Sequence, residues 1–153
     1  MLLLGTCNPA GESSDYNGLY LRKDEIEEIV QNGLSGIPVK QEHTGGDIGR
    51  VVSCFKGNNG ELQCLLELDG SLEGDIAAGF VRDGIATELS LGYSVDIHHS
   101  DNNKYRTGKK KIQEISLVRK GARQGCYIMA HNATMLDEGA KDDVWVAFMK
   151  SIC

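Results

Sequence analysis

Short runs of alternating apolar and polar residues recur along the chain, and glycine-rich segments separate them. Nineteen of the 153 residues are glycine and only two are proline, which favours many tight turns. The clearest turn is Gly57-Asn58-Asn59-Gly60, because glycine and asparagine accept the positive φ of hairpin turns. Eight runs have the character of strands, and we expect about seven strands among them: residues 16–21, 36–41, 48–55, 61–68, 85–91, 93–98, 110–118 and 126–130.

Three segments have helical spacing instead. Asp24 and Glu27 fit a capping pair for a helix that ends at Asn32. Ser71 precedes a second helix, whose core face is predicted to carry Leu72, Ile76, Ala77, Phe80 and Val81. The third helix covers residues 142–152, and one of its faces carries Trp145, Phe148, Met149 and Ile152.

Strands and helices do not alternate as β-α-β units, and no internal repeat is present. The expected fold is therefore mainly β with flanking helices, a single, roughly seven-stranded β-barrel that is closed or nearly closed. A length of 153 residues suits one domain, residues 1–153. Within it we expect residues 1–15 to be a flexible lead and residues 139–153 to carry the C-terminal helix.

Composition excludes several classes of function. A net charge of −6 argues against broad nucleic-acid binding, and the run Lys109-Lys110-Lys111 is interpreted as a solvated strand entry. Five cysteines without a CxxC pair indicate neither a zinc site nor a disulfide framework, which fits a reducing compartment. The start Met1-Leu2-Leu3-Leu4 is too short for a secretory signal, and no run approaches the ~18 apolar residues of a membrane span. We expect a soluble, intracellular protein without cofactor or metal.

The candidate nucleophile lies in the stretch from Gly84 to Tyr93. Its alternation predicts a strand in which Ser90 faces away from Leu89 and Leu91, and Gly92 then allows the backbone to bend. A serine hydroxyl attacks well only when a neighbouring base takes its proton, and a third group must orient that base.

Two other segments offer suitable partners for Ser90. His43 follows the predicted strand 36–41 and is the candidate base, and Glu114 in the strand 110–118 is the candidate third group. The tight loop Gly121-Ala122-Arg123-Gln124-Gly125 exposes backbone N–H groups beside a guanidinium, which suits an oxyanion hole at Ala122 and Arg123.

Other histidines are alternatives for the third group. His98 or His99 could replace Glu114 if the barrel brought one of them near His43. Together with Asp96 they also suggest a metal, but no third ligand lies at a recognised spacing. His131 is expected at the surface, and the cysteines are expected to be small buried residues.

At the histidine, serine and arginine-loop segments the chain resembles the maturational proteases of herpesviruses, the assemblin family, and more distantly the prohead proteases of tailed phages. The similar segments are Ile37-Pro38-Val39 through His43 with Ile48-Gly49-Arg50-Val51, then Leu89-Ser90-Leu91, then Ile115-Ser116-Leu117-Val118 through Gly125. The herpesvirus family has a second histidine at the position of Glu114, whereas the phage enzymes are thought to have an acidic residue there. Only the second of that family's paired arginines is present, as Arg123, and Ala122 stands in place of the first.

The resemblance implies a serine endopeptidase that matures viral capsids by cutting the internal scaffold protein and itself. It also implies a homodimer formed through a helix, for which the face with Trp145, Phe148, Met149 and Ile152 is the candidate, although this face could equally pack on the barrel. The expected location is the assembling capsid, in the nucleus or cytoplasm of the host cell.

Two other classes of function stay open. The same barrel with an inactive site would be a non-catalytic module that binds scaffold or assists capsid assembly. An esterase or amidase for small molecules is disfavoured because the chain lacks a G-x-S-x-G elbow and an α/β sheet pattern.

Overall fold

One seven-stranded sheet organises the structure, a computed structural model that describes residues 1–9, 20–99 and 105–132, with only the backbone at residues 96–99 and 105–109. The strands are β1 (Leu2–Asn8), β2 (Pro38–Gln41), β3 (Thr44–Lys56), β4 (Leu62–Leu68), β5 (Glu88–His99), β6 (Tyr105–Val118) and β7 (Ile128–His131). The helices are α1 (Lys23–Asn32) and α2 (Leu72–Arg82). The strand order is β5-β6-β2-β3-β4-β1-β7.

The sheet curls until its two edge strands meet. The N–H of Leu89 donates to the carbonyl of Cys126 at 3.0 Å, and the N–H of Ile128 donates to the carbonyl of Thr87 at 3.0 Å. Between these bonds, Glu88 and Tyr127 form an antiparallel bridge. The predicted mainly β fold, a roughly seven-stranded barrel with flanking helices, is confirmed, and the two edges meet along this short region.

The prediction of a flexible lead at residues 1–15 is wrong for Leu2–Asn8, which form the first strand. Residues Leu2–Asn8 form β1 between β4 and β7, and Leu3, Leu4 and Cys7 are buried. A strand covered on both faces has a continuous apolar run instead of an alternating one, so Leu2-Leu3-Leu4 lacked the period-two signal. Residues 10–19, with most of the strand predicted at 16–21, lie outside the described residues, as do residues 133–153 with the C-terminal helix.

The Gly57–Gly60 hairpin is confirmed, and several other predicted boundaries shift. The N–H of Gly57 donates to the carbonyl of Glu61 at 2.8 Å, and β3 pairs antiparallel with β4. The two strands predicted at 85–91 and 93–98 are one strand, β5, with an irregularity in its pairing after Gly92. Helix α1 is capped by Arg22 instead of Asp24, because the Glu25 carboxylate accepts a hydrogen bond from the Arg22 N–H at 3.1 Å.

Helix α2 begins as predicted but presents a different face to the core. The Ser71 hydroxyl accepts a hydrogen bond from the Gly74 N–H at 3.0 Å and caps the helix. Ala77 and Val81 are buried, whereas Leu72 and Ile76 are 71% and 47% exposed. The helix is rotated so that its small residues lie against the sheet, so the prediction that Leu72 and Ile76 face the core is wrong.

The lysine run is not uniformly solvated. Lys110 is buried, and its Nζ lies 2.9 and 3.1 Å from the two carboxylate oxygens of Glu25 in α1. This ion pair connects α1 to β6, and a buried lysine requires such a partner. Lys111 is exposed, as expected. Within the described residues, no helix has the length and apolar character needed to cross a membrane.

Gly49 in β3 allows the neighbouring strand β4 to come close. An alanine Cβ at this position would lie 2.1 Å from the carbonyl oxygen of Glu67, which is backbone and cannot rotate away. We expect Gly49→Ala to lower the free energy of unfolding by about 1–3 kcal/mol. Urea unfolding followed by circular dichroism measures this change.

Gly46→Ala is the matched control on the same strand, because no described atom lies within 4 Å of its added Cβ. We expect its free energy of unfolding to stay within about 0.5 kcal/mol of the wild-type value. Equal unfolding midpoints for the two variants would contradict the close approach at Gly49.

Candidate active site

The polar residues of the candidate site share one face of the β5–β6 pair. Ser90 lies directly opposite Ser116, and Gly92 lies opposite Glu114. Because strand residues alternate between faces, Leu89, Ile115 and Leu117 point into the core and are buried. The predicted orientation of Ser90, away from its leucine neighbours, follows from the same alternation.

The turn between β2 and β3 carries the candidate base. Gln41 pairs with Thr44, so Glu42 and His43 form a two-residue turn, and their φ values of 52° and 59° are those of a type I′ turn. Non-glycine residues in this left-handed conformation cost about 1–2 kcal/mol each. Residues 44–47, which separate the predicted strands 36–41 and 48–55, belong to β3, and no glycine or asparagine marks the true turn.

Contacts with the end of β6 hold this turn. The N–H of Glu42 donates to the carbonyl of Leu117 at 3.0 Å, and the Glu42 carboxylate accepts from the N–H of Arg119 at 2.9 Å. Strand β2 runs parallel to β6 with Val39 beside Ile115 and Gln41 beside Leu117. His43 is thereby placed next to the part of β6 that contains Glu114.

The structure brings the imidazole of His43 between Ser90 and Glu114. Its Nε2 lies 2.9 Å from the Ser90 hydroxyl oxygen, and its Nδ1 makes a hydrogen bond with the Glu114 carboxylate. With the carboxylate ionised, Nδ1 donates the proton and Nε2 is left to accept from the serine. Ser90 is buried, the Glu114 side chain is largely buried, and the His43 side chain is 41% exposed. This arrangement suits transfer of a proton from a serine to a histidine.

Gly92 makes room for the carboxylate of Glu114. A Cβ at position 92 would lie 2.1 Å from Glu114 Oε1, the oxygen that bonds to His43. The sequence predicts a bend in the backbone at Gly92, and the observed role is the space that its missing side chain leaves.

Ser116 belongs to the site and was not among the predicted site residues. Its hydroxyl lies 2.7 Å from Glu114 Oε2 and 3.0 Å from the backbone nitrogen of His43. Two signals pointed to it: Ser116 is two residues after Glu114, on the same strand face, and opposite Ser90 in the register. The second signal requires the pairing of β5 with β6, which the sequence does not specify.

The loop predicted as an oxyanion hole begins beside the candidate nucleophile, Ser90. The N–H of Gly121 donates to the Glu88 carboxylate at 3.1 Å, and a Cβ on Gly121 would lie 3.0 Å from the carbonyl oxygen of Leu89. Ala122 is half-buried, and its N–H has no hydrogen-bond acceptor among the residues described.

The Arg123 guanidinium is buried between two strands. It donates to the Asn8 side chain at 3.0 Å and to the Tyr93 hydroxyl at 3.1 Å. These bonds connect the loop to β1 and β5, so the side chain of Arg123 anchors the loop to the barrel. A contribution to an oxyanion hole would therefore come from the backbone N–H of Arg123 rather than from its guanidinium.

The backbone of β5 carries the alternative histidines, His98 and His99, away from Ser90. The backbone of β5 places His98 eight residues beyond Ser90, about 26 Å along an extended strand. His131 ends β7 and is exposed. Among the described residues, no three His, Cys, Asp or Glu side chains form a group that could hold a metal ion.

Three cysteine side chains of the barrel, those of Cys7, Cys54 and Cys126, are not activated. Burial raises the pKa of the Cys54 and Cys126 thiols to about 11, and burial followed by the contact with Cys64 raises the pKa of Cys7 well above its usual range. Such thiols stay protonated at neutral pH, and a protonated thiol is a weak nucleophile.

Gly92→Ala tests the space around Glu114. We expect the new Cβ to displace the carboxylate and break its hydrogen bond with His43. The free energy of unfolding should fall by about 1–3 kcal/mol. The low-field proton resonance of the His43 Nδ1–H reports this bond and should be lost or move upfield. Gly70→Ala is the control, since no described atom lies within 4 Å of its Cβ, and a resonance that survives equally in both variants would contradict the steric role of Gly92.

Comparison with known proteins gives a similarity in structure only. No protein-family model matches the sequence, and no curated protein matches it. The crystal structure of the protease of Kaposi's sarcoma-associated herpesvirus (KSHV) in complex with a hexapeptide phosphonate inhibitor is similar with a TM-score of 0.60 and 16% identity, over 97% of this chain and 76% of that chain. The same protease in complex with a dimer disruptor gives a TM-score of 0.56 and 15% identity, over 97% of this chain and 90% of that chain. The same protease in complex with an allosteric inhibitor gives a TM-score of 0.53 and 16% identity, over 98% of this chain and 92% of that chain. The resemblance inferred from the motifs is thus confirmed at the level of the fold, which is that of the herpesvirus protease.

Proposed function

We propose that this chain is a serine endopeptidase that matures viral capsids by cutting the internal scaffold protein and itself. Ser90 is the nucleophile, His43 the general base and Glu114 the third member of the triad. One observation carries the proposal: the imidazole of His43 bonds to the Ser90 hydroxyl on one side, at 2.9 Å, and to the Glu114 carboxylate on the other.

The proposed reaction is a two-step acyl transfer. His43 Nε2 takes the proton of the Ser90 hydroxyl while the oxygen attacks the carbonyl carbon of the scissile peptide bond. The imidazolium then gives this proton to the leaving amine, which breaks the peptide bond and leaves an ester on Ser90. A water molecule, deprotonated by the same imidazole, hydrolyses the ester and restores the serine.

The negative charge of the tetrahedral intermediate requires donors near Ser90. The backbone N–H groups of Ala122 and Arg123 are the proposed oxyanion hole, since their loop contacts the residues immediately before Ser90. Binding of the oxyanion requires only a backbone N–H, which alanine supplies, so Ala122 is compatible with this role.

A carboxylate suits the third position because it carries a full negative charge when His43 becomes an imidazolium. The Glu114 side chain is largely buried, and charges attract each other more strongly away from water. The acidic third member also agrees with the resemblance to the phage prohead proteases, and the proposed enzyme combines it with the herpesvirus protease fold.

A peptide substrate and a dimer are part of the proposal. The similar KSHV protease is described in complex with a hexapeptide phosphonate inhibitor and with dimer disruptors. By the same likeness we propose a peptide segment of the scaffold protein as substrate, a homodimer as the active form and the assembling capsid as the place of action. The proposed dimer contact is the C-terminal helix predicted at residues 142–152.

A fluorophosphonate probe tests the nucleophile. We expect covalent labelling of Ser90 in the wild type, because the probe reacts only with an activated serine, and no labelling in Ser90→Ala.

His43→Ala removes the base. If the triad acts as a unit, we expect this variant to lose kcat by a factor on the order of 10⁶. Mass spectrometry of the labelled peptide identifies the site, and Ser53→Ala, a half-buried strand serine elsewhere, is the control. A wild type that stays unlabelled would favour the non-catalytic assembly module.

Glu114→Gln tests the third member separately. The substitution keeps the size of the side chain and removes the charge that stabilises the imidazolium, so we expect kcat to fall by about 10³–10⁴-fold. Cleavage of a peptide that spans the scaffold cut is the assay, with Glu67→Gln, which changes an exposed carboxylate of β4, as the control. Full activity of Glu114→Gln would remove Glu114 from the triad and leave the nucleophile unaffected.

A further inference from the structure

Ser116 connects two members of the proposed triad through one hydroxyl group. The backbone N–H of His43 can only donate, so at 3.0 Å the Ser116 oxygen accepts from it. The single hydroxyl proton is then available for Glu114 Oε2, which lies 2.7 Å away. Ser116 is fully buried, so water does not compete for either bond.

The bond to Glu114 fixes the orientation of the carboxylate. Oε1 is bonded to His43 Nδ1, and Oε2 is bonded to Ser116. Because both oxygens have partners in different places, the carboxylate cannot rotate about its final side-chain bond without losing one of them. The oxygen that orients the imidazole is thereby held in place.

The bond to His43 acts on the backbone of the same residue. His43 has a φ of 59° in a two-residue turn, a conformation that non-glycine residues adopt only when their surroundings hold them there. The Ser116 hydroxyl is one of the groups that hold this turn, together with the contacts of Glu42. A turn that relaxed would move the imidazole away from Ser90.

Ser116 occupies a rigid position for this task. It lies in β6 between two neighbouring strands, opposite Ser90 on β5 and beside Lys40 on β2. The strand that holds the nucleophile and the strand that delivers the base are both bonded to the strand of Ser116. A side chain at this point keeps its position relative to both partners.

We propose that Ser116 is a positioning residue that holds the Glu114 carboxylate and the His43 turn in register, so that Nε2 faces the Ser90 hydroxyl. The inference rests on the proposed hydrolase function, and Ser116 itself does not contact the substrate. A buried serine with a purely structural role would affect stability alone, whereas a positioning residue affects the rate of the chemical step.

The experiment compares Ser116→Ala with Ser116→Thr, which keeps a hydroxyl, and with Ser53→Ala as the matched control. We expect Ser116→Ala to reduce kcat and the rate of fluorophosphonate labelling by about 10²-fold, with KM within about twofold of the wild type, since misplacement of a catalytic group by about 1 Å has an effect of this size. The low-field resonance of the His43 Nδ1–H should weaken or move in Ser116→Ala. Ser116→Thr should recover to within about tenfold of the wild-type rate, and Ser53→Ala should equal the wild type.

Two outcomes would overturn the proposal: a folded Ser116→Ala that is labelled at the wild-type rate, or an unchanged imidazole resonance in that variant. If Ser116→Ala does not fold, Ser116→Cys replaces it, because a thiol fills the position of the hydroxyl but forms only weak hydrogen bonds. The same loss of rate in Ser116→Cys supports the proposal, and a wild-type rate overturns it. Failure of the underlying function is distinguishable, since the wild type itself would then not be labelled, while the resonance still reports whether Ser116 orients His43.

Discussion

The parallel pairing of β2 with β6 is the contact on which the candidate site depends. It places Gln41, the last residue of β2, beside Leu117, so the turn that follows delivers His43 to the strand of Glu114 and Ser116. Antiparallel pairing of β6 with β5 then adds Ser90 from the other side. Parallel neighbours cannot be joined by a tight turn, and here the chain forms β3, β4, α2 and β5 before it returns as β6.

The three groups come together where the structure departs from local preference. Two non-glycine residues adopt positive φ in the turn at His43, a glycine lies in the interior of β5 opposite Glu114, and a serine hydroxyl is fully buried beside the carboxylate. Each feature has a cost in stability when considered alone. Such departures concentrate at functional sites, where surrounding contacts hold them. Here those contacts are the hydrogen bonds from β6 to Glu42, His43 and Glu114.

Much of the barrel and the three triad candidates follow from the sequence, because alternation and turn residues are local signals. Ser90 and Glu114 belong to clearly alternating strands, and the Gly57–Gly60 hairpin has turn residues of its own. Other features depend on tertiary contacts. Strand β1 has no alternation because both its faces are covered, and the turn at Glu42 and His43 has no turn residues because bonds from β6 impose it. The role of Ser116 requires the register of three strands, and the exposure of Leu72 depends on how α2 is rotated against the sheet.

The position of β1 also has a consequence for biosynthesis. Although β1 precedes the other strands in the chain, one of its partners is β7, and Leu3 pairs with His131. A ribosome must therefore release nearly all of the described residues before this strand acquires its second neighbour and its apolar side chains are covered. Asn8 at its end anchors Arg123, so the loop beside Ser90 also acquires its support late. The contacts that support the candidate site would thus be complete only after the whole barrel has been translated, and sheets with such distant pairings fold slowly.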